Sequence, residues 1–120
     1  MTEIKFEIYS KLLTKRLHWY KKIKEIYCPH LNTNIVFNSQ GIHHLKYDGR
    51  GKPRSIKDQL RRLHLITYSL DIIKNAKSVF EYRNINNIQY WSFKDFRGRK
   101  SITVLIRKTG NGKYMFYSVM

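Results

Sequence analysis

Apolar side chains recur at helical spacing near the start of the chain and again in its middle. In residues 3–27 they stand three, four or seven apart, which predicts one long amphipathic helix that ends before Pro29. This apolar face consists of Ile4, Ile8, Leu12, Trp19, Ile23 and Ile26. Residues 56–75 repeat the pattern behind Ser55, whose hydroxyl is typical of a helix N-cap. The second apolar face consists of Ile56, Leu60, Leu63, Ile66, Leu70 and Ile73.

Beyond Asn75 the apolar period changes from helical to two, which is typical of half-buried strands. The strands are predicted at residues 78–83, 88–94, 100–108 and 113–120, with an earlier short one at 35–37. The turns between them are indicated by Asn86-Asn87, Arg97-Gly98 and Gly110-Asn111-Gly112. We therefore expect one α+β domain, in which two helices pack on a mainly antiparallel sheet of four to five strands.

The charge of the chain is strongly basic. Lysine and arginine number 24 against 8 acidic residues, so the formal net charge is +16 over 120 residues. Each half of the chain carries 12 of these bases, so the folded body itself is positive rather than a tail. Such a body attracts phosphate polymers through counterion release, and an acidic protein would also neutralise it. RNA or DNA is therefore the expected partner.

Composition excludes several classes of protein. Cys28 is the single cysteine, which excludes a disulfide scaffold and metal sites built on cysteine pairs. The eight acids are scattered, without the cluster that a two-metal nuclease needs, so neither a metal nor another cofactor is expected. No apolar run approaches the ~20 residues of a membrane span, and the N-terminus does not have the pattern of a secretory signal. We expect a cytoplasmic protein with no membrane partner.

The region between the two predicted helices has the highest density of groups able to act on a phosphodiester. It is predicted as a strand and a basic, Gly-rich loop over residues 35–55, and it contains His43, His44, Lys46, Arg50, Lys52 and Arg54. If residues 42–47 are extended, His44 and Lys46 share one face and His43 lies on the other. A helical turn would instead bring His43 to Lys46. Imidazole can act as general base or acid while the cations neutralise the phosphate, so we place the catalytic site here and favour His44.

Other basic residues are predicted to bind RNA around this site. Arg54 directly precedes the Ser55 cap, and a guanidinium beside a helix N-terminus is suited to phosphate. Lys57 and Arg61 lie on the basic face of the second helix. The predicted RNA-binding residues are thus His43, Arg50, Lys52, Lys57, Arg61 and Arg107.

The last hairpin supplies two of the predicted site residues. A two-residue turn at Asn111-Gly112 would pair Leu105 with Ser118 and Arg107 with Phe116. Arg107 and Ser118 would then share one face, where they could form part of a phosphate site. Tyr117 would lie on the other face, with Ile106.

The order of these motifs resembles the small nuclease domains of the barnase–EndoU–colicin–RelE group, especially their phage and toxin types. The likeness runs from about Ile35 to the C-terminus. It comprises His-His and Gly-x-Gly-x-Pro-Arg after a short strand, an Arg62-Leu63 helix, Phe80-Glu81-Tyr82-Arg83, Tyr90-Trp91, and a closing Gly-Lys-Tyr-Met-Phe-Tyr-Ser-Val hairpin.

The resemblance implies a metal-independent endoribonuclease of toxin type, paired with an acidic antitoxin or immunity protein. It matches the catalytic positions of the group to His44, Lys46, Arg54 and Ser118, with no glutamate placed like the base of barnase itself. The expected substrate is RNA (tRNA, mRNA or rRNA), cleaved by attack of the 2′-hydroxyl.

Two alternatives belong to other classes. A non-catalytic RNA- or ribosome-binding module would use the same basic surface and bind without cleavage. A metal-dependent DNA nuclease is disfavoured because paired carboxylates do not stand out in the sequence.

Overall fold

The first helix is shorter than predicted. The structure of the chain is a computed structural model that describes residues 3–120, with side chains from residue 6 onward. In it α1 (Glu3–Lys21) ends well before residue 27, because Lys24 adopts a left-handed backbone with φ 60° that a helix interior does not accept. Of the predicted apolar face, Ile8 is 54% exposed, and the side chain of Ile4 lies outside the described part.

Within residues 3–120, six strands form one open sheet, rather than the four to five predicted. The strands are β1 (Glu25–Cys28), β2 (Thr33–Val36), β3 (Glu81–Ile85), β4 (Ile88–Arg97), β5 (Lys100–Thr109) and β6 (Met115–Val119). They lie in the order β1-β2-β6-β5-β4-β3, and neighbours are antiparallel except β2 and β6, which are parallel and meet at Val36 and Met115. The α+β class and the four-stranded C-terminal meander are therefore confirmed.

Helices fill the middle of the chain. They are α2 (Ser39–Lys46), α3 (Ile56–Leu65) and α4 (Ser69–Asn75), with a 3₁₀ turn over Ile66–Tyr68 between the last two. The predicted helix 56–75 thus exists, divided by a tighter turn. Its N-cap is confirmed, because Ser55 Oγ accepts a hydrogen bond from the Asp58 backbone nitrogen at 3.1 Å.

The core lies on one face of the sheet. Phe93 and Phe116 are fully buried there, and they are joined by Ile73 of α4 and Tyr20 of α1. Side chains on the opposite face of β4 and β5 do not belong to the core cluster of the described residues. This face presents Tyr90, Ser92, Lys94, Thr103 and Leu105, none of them buried. The sheet therefore keeps one face accessible.

Residues 42–46 belong to α2, so of the two alternatives the helical one holds for them, and only Tyr47, the C-cap, is extended; the loop predicted over this part of residues 35–55 is wrong. Asn38 caps this helix, since its Oδ1 accepts from the Gln40 backbone nitrogen at 3.0 Å. Gly41 lets the helix lie directly on β6, because a Cβ at that position would stand 2.6 Å from Phe116 Cδ2 and would also meet the Tyr20 hydroxyl. The short strand before the helix is confirmed as β2.

Of the two residue pairs predicted for the last hairpin, one is confirmed and one is wrong. Leu105 pairs with Ser118, as expected, but Arg107 pairs with Met115 instead of Phe116. The difference arises because β6 holds one extra residue, Tyr117, where the pairing shifts between Leu105 and Ile106. Such a bulge bends the strand and re-aims its side chains. Tyr117 therefore lies on the same side as Ser118, and its predicted place beside Ile106 is wrong.

Candidate functional site

The imidazole of His44 lies where α2 meets β6. Its ring centroid is 4.0 Å from the ring centroid of Tyr117, and the side chain is half-buried. Gly41 and Leu45 of the same helix are buried, so the backbone that carries His44 is held by packing. The bulge in β6 turns Tyr117 toward this helix.

Arg54 is attached to the same helix through side chain and backbone. Its Nε donates a hydrogen bond to the backbone oxygen of His44 at 2.9 Å. Its backbone nitrogen donates to the oxygen of Lys46 at 2.7 Å. The chain therefore leaves α2, turns, and returns to place Arg54 beside the residue at the centre of the site.

Gln59 links Arg54 to the first helix. Its Nε2 donates to the Arg54 backbone oxygen at 2.8 Å, and its Oε1 accepts from the Tyr9 hydroxyl at 2.5 Å. Gln59 is 7% exposed. A buried amide with both ends bonded fixes the relative positions of the segments that it joins.

One carboxylate organises three arginines at the start of α3. Asp58 lies 2.8 Å from Arg61, 3.1 Å from Arg62 and 3.5 Å from Arg54. Burial alone would raise the pKa of Asp58, but the hydrogen bond from Arg61 and the charge of Arg62 outweigh it and hold that pKa below its usual range. The carboxylate is therefore ionised at neutral pH and neutralises part of a larger positive charge.

Arg62 carries this network to the last strand. Its Nη1 donates to Ser118 Oγ at 3.0 Å and to the Val119 backbone oxygen at 2.9 Å. Arg62 is 7% exposed and Ser118 is 3% exposed. Ser118 is thus enclosed behind the surface, as an acceptor for a buried guanidinium.

Arg107 faces the same place from β5. Its guanidinium carbon lies 5.1 Å from the ring centroid of Tyr117 and 5.9 Å from that of Tyr90. Its Nε is buried without a hydrogen-bond partner. Among the residues that the structure describes, it makes no ion pair with a carboxylate, which leaves its charge available to an anion.

The pKa of His44 is lowered from its ordinary value of 6.5 by burial first, and then by the positive charges of His43, Arg107, Arg54 and Arg62. The imidazole is therefore neutral at neutral pH, with a lone pair free to accept a proton. We call the group that surrounds it the His44 cluster. It consists of His44, Arg54, Arg62, Arg107, Tyr117 and Ser118.

Four residues predicted from the sequence meet in this cluster, namely His44, Arg54, Arg107 and Ser118. Lys46 is placed differently. Two residues on a helix are separated by about 200° around its axis, so α2 turns the Lys46 side chain away from that of His44. The shared face expected for these two residues does not form. His43 is exposed, stacks on Tyr47 at 4.7 Å between ring centroids, and lies 5.7 Å from the His44 ring.

The other predicted RNA-binding residues are exposed. Arg50 and Lys52 belong to a tight loop in which Asp48 Oδ1 accepts hydrogen bonds from both of their backbone nitrogens, at 2.8 and 3.0 Å. Lys57 and Arg61 lie on the outer side of α3. Of these four side chains, Arg61 also pairs with Asp58.

Arg62 and Tyr117 are functional candidates that the sequence prediction missed. The spacing of Asp58 and Arg62, four residues apart on a helix, could have indicated an ion pair on one side of α3. Nothing in the alternation of β6 indicates that Tyr117 turns toward α2, because a bulge breaks that alternation.

The described residues were searched for a metal-binding group and for a membrane-spanning helix. From residue 3 to residue 120, His, Cys, Asp and Glu side chains form no group of three that could hold a metal ion. None of the helices in that range combines the length and the apolar character needed to cross a membrane.

Comparison of the chain with family models, with curated proteins and with solved structures finds no match.

Proposed function

We propose that this protein is a metal-independent endoribonuclease that cleaves RNA by attack of a ribose 2′-hydroxyl on the adjacent phosphate. One observation carries the proposal: a neutral, half-buried imidazole lies near three arginines, of which Arg54 and Arg62 share the Asp58 carboxylate and Arg107 has no acidic partner in the described structure. The neutral imidazole can accept the proton that leaves the 2′-hydroxyl. The surrounding guanidinium groups can stabilise the negative charge that develops on the phosphoryl oxygens.

In the proposed reaction His44 is the general base. It takes the proton of the 2′-hydroxyl while the bond from that oxygen to phosphorus forms. The bond between phosphorus and the 5′-oxygen breaks, and this oxygen receives a proton from an acid. His43 is our candidate for the acid, because its ring is 5.7 Å from that of His44 and exposed. The products are a 2′,3′-cyclic phosphate and a 5′-hydroxyl.

Arg107 and Arg54 are the proposed cations that stabilise the transition state. Arg107 has no acidic partner in the described structure, and Arg54 shares Asp58 with two other arginines. A guanidinium offers bidentate donors to phosphoryl oxygens. Lys46, at the end of α2, is proposed to contact a neighbouring phosphate rather than the reacting one.

Ser118 and Arg62 are proposed as positioning residues. Both are buried and bonded to each other, so they hold β6 and its Tyr117 against α2 and α3. The predicted place of Ser118 in the phosphate site would require this hydroxyl, which is 3% exposed, to become accessible to the phosphate.

The biological setting is part of the proposal. A small, strongly cationic ribonuclease is harmful to its own cell, so we propose a toxin-like role in the cytoplasm with an acidic protein as inhibitor. The charge of +16 supports an acidic partner. The order of motifs shared with the barnase–EndoU–colicin–RelE group supports the same role.

The proposal is tested by incubating purified protein with total RNA in EDTA. We expect cleavage by the natural chain, and losses of about 100-fold or more for His44→Ala and Arg107→Ala, in line with the loss of a base or an oxyanion donor. His30→Ala is the matched control, because His30 lies across the sheet with its ring against Phe93. Equal activity of all three variants would reject the site, and tight, salt-dependent binding without cleavage would favour a non-catalytic RNA-binding module.

A further inference from the structure

A shallow cavity of about 450 Å³ lies on the face of the sheet opposite the core. Side chains from β3, β4 and β5 form its floor, and residues just before β3 and after β6 form its walls. Its main lining residues are Phe80, Arg83, Tyr90, Thr103, Leu105 and Met120.

The cavity is continuous with the His44 cluster. Tyr90 lines it and also lies beside Arg107, its partner across β4 and β5. Leu105 lines it and pairs with Ser118. Neighbouring strands are about 4.8 Å apart, so the cavity begins one strand spacing from the cluster. A polymer bound at His44 would extend into it.

The chemistry of the lining favours an uncharged ring. Most of the surface is carbon, and the two ionic groups, Glu81 and Arg83, are paired with each other. A phosphate in the cavity would be repelled by the Glu81 carboxylate and would lose part of its hydration, which is unfavourable. A flat heterocycle would bury apolar surface of the cavity, which is favourable.

The wall of the cavity is an aromatic ring with a cation above it. Phe80 is 61% exposed, and the Lys94 ammonium lies 4.5 Å from its ring centroid. The ring face that Lys94 does not cover can stack on any nucleobase, and the ammonium on the other side suits the phosphate that follows. The net charge of +16 adds attraction for the same polymer.

We propose that this cavity binds an unpaired nucleobase next to the cleaved linkage, and that it makes the protein selective for single-stranded RNA. A base inside a duplex has both faces stacked and its edge paired, so it cannot turn into a concave surface without being splayed out. The inference rests on the proposed ribonuclease site for the position of the linkage. The base-binding step itself needs only the contacts in the cavity.

The test measures binding without cleavage. A 2′-O-methyl oligonucleotide lacks the attacking hydroxyl, and its fluorescence anisotropy reports affinity as a single strand and as a hairpin duplex of the same composition. Phe80→Lys removes the stacking ring but adds a positive charge. Tyr27→Lys adds the same charge at another exposed ring, on β1 at the opposite edge of the sheet.

Tyr27→Lys is expected to tighten binding of both forms, since charge attracts either. Phe80→Lys is expected to weaken the single strand about fivefold or more and to tighten the duplex. Tighter single-strand binding by Phe80→Lys, or equal affinity of the natural chain for both forms, would overturn the inference. If the expected pattern appears while total RNA in EDTA stays intact, the base-binding cavity stands and the ribonuclease proposal falls.

Discussion

Arg62 and Ser118 stand 56 residues apart in the chain and are joined by a buried hydrogen bond of 3.0 Å from Nη1 to Oγ. The same nitrogen bonds to the Val119 backbone oxygen, and Nε bonds to Asp58. One guanidinium therefore connects Asp58, near the start of α3, to the end of β6.

Replacing Arg62 with methionine is expected to lower the free energy of unfolding by about 2–4 kcal/mol. The change keeps apolar volume but leaves Ser118 and the Val119 carbonyl buried without a donor, and it removes a buried partner of Asp58. Urea denaturation measures the loss. Arg61→Met is the control, because Arg61 contacts the same carboxylate from an exposed position and should cost less than about 1 kcal/mol. Equal losses in the two variants would contradict the linking role of Arg62.

Gly41→Ala is expected to destabilise the protein by about 1–3 kcal/mol and to reduce RNA cleavage. The new methyl group would meet Phe116 and Tyr20, which are both buried, so α2 must move away from β6 and carry His44 with it. Thermal denaturation and cleavage rates of the same sample check both effects. Gly49→Ala is the control, because nothing lies within 4 Å of a Cβ at that position.

Gln59→Leu is expected to cost about 1–3 kcal/mol, because it leaves the Arg54 backbone oxygen without its partner and the Tyr9 hydroxyl without its acceptor. Tyr9→Phe removes only the partner of the Gln59 oxygen and should cost less. A double-mutant cycle over these two positions measures the coupling. Strictly additive losses would show that the contact transmits nothing from α1 to Arg54.

The pH dependence of cleavage follows from the lowered pKa of His44. A base acts only when unprotonated, so the acidic limb of kcat/KM should fall below the ordinary 6.5 of histidine. Arg107→Gln removes one of the charges that lower this pKa, after burial and His43, so the limb should move to higher pH as the rate falls. Arg99→Gln, in the turn between β4 and β5, is the control. An unmoved limb in the Arg107 variant would contradict the assignment of His44 as the base.

The same shift has a consequence for stability. A histidine whose pKa is lower in the folded state binds protons more strongly when unfolded. Above pH 6.5 His44 is neutral in both states and does not reduce the free energy of unfolding. As the pH drops from 6.5 to the lowered pKa of the folded state, protonation of the unfolded chain reduces that free energy. His44→Gln should flatten this part of a stability-versus-pH curve.

Periodicity predicted the parts of the fold that are determined locally. The meander follows from alternation and from turn residues such as Asn86 and Asn87, which both adopt positive φ, at 51° and 66°. The segment of α3 and α4 follows from its apolar repeat and the Ser55 cap. These signals depend only on near neighbours in the chain.

The features that the sequence did not predict depend on distant contacts. Strand β1 continues the apolar spacing of α1, and only pairing with β2 decides that residues 25–28 are extended. Helix α2 has two histidines and a glycine, which are weak helix formers, and it is stabilised by packing on Phe116. The side that Tyr117 takes follows from the bulge in β6. Helix α2 therefore keeps His44 next to Arg54, but the face that His44 was predicted to share with Lys46 does not form, and the catalytic role of His44 stays a prediction.

The chemistry of the cut ends separates attack by the 2′-hydroxyl from metal-dependent hydrolysis. Total RNA is incubated with the purified chain in excess EDTA, and the new ends are identified by enzymatic treatment and mass spectrometry. We expect 2′,3′-cyclic phosphates on one side of each cut and 5′-hydroxyls on the other, produced at a rate that chelation leaves unchanged. Ends with 5′-phosphates, or cleavage that requires added divalent metal, would contradict the proposed reaction.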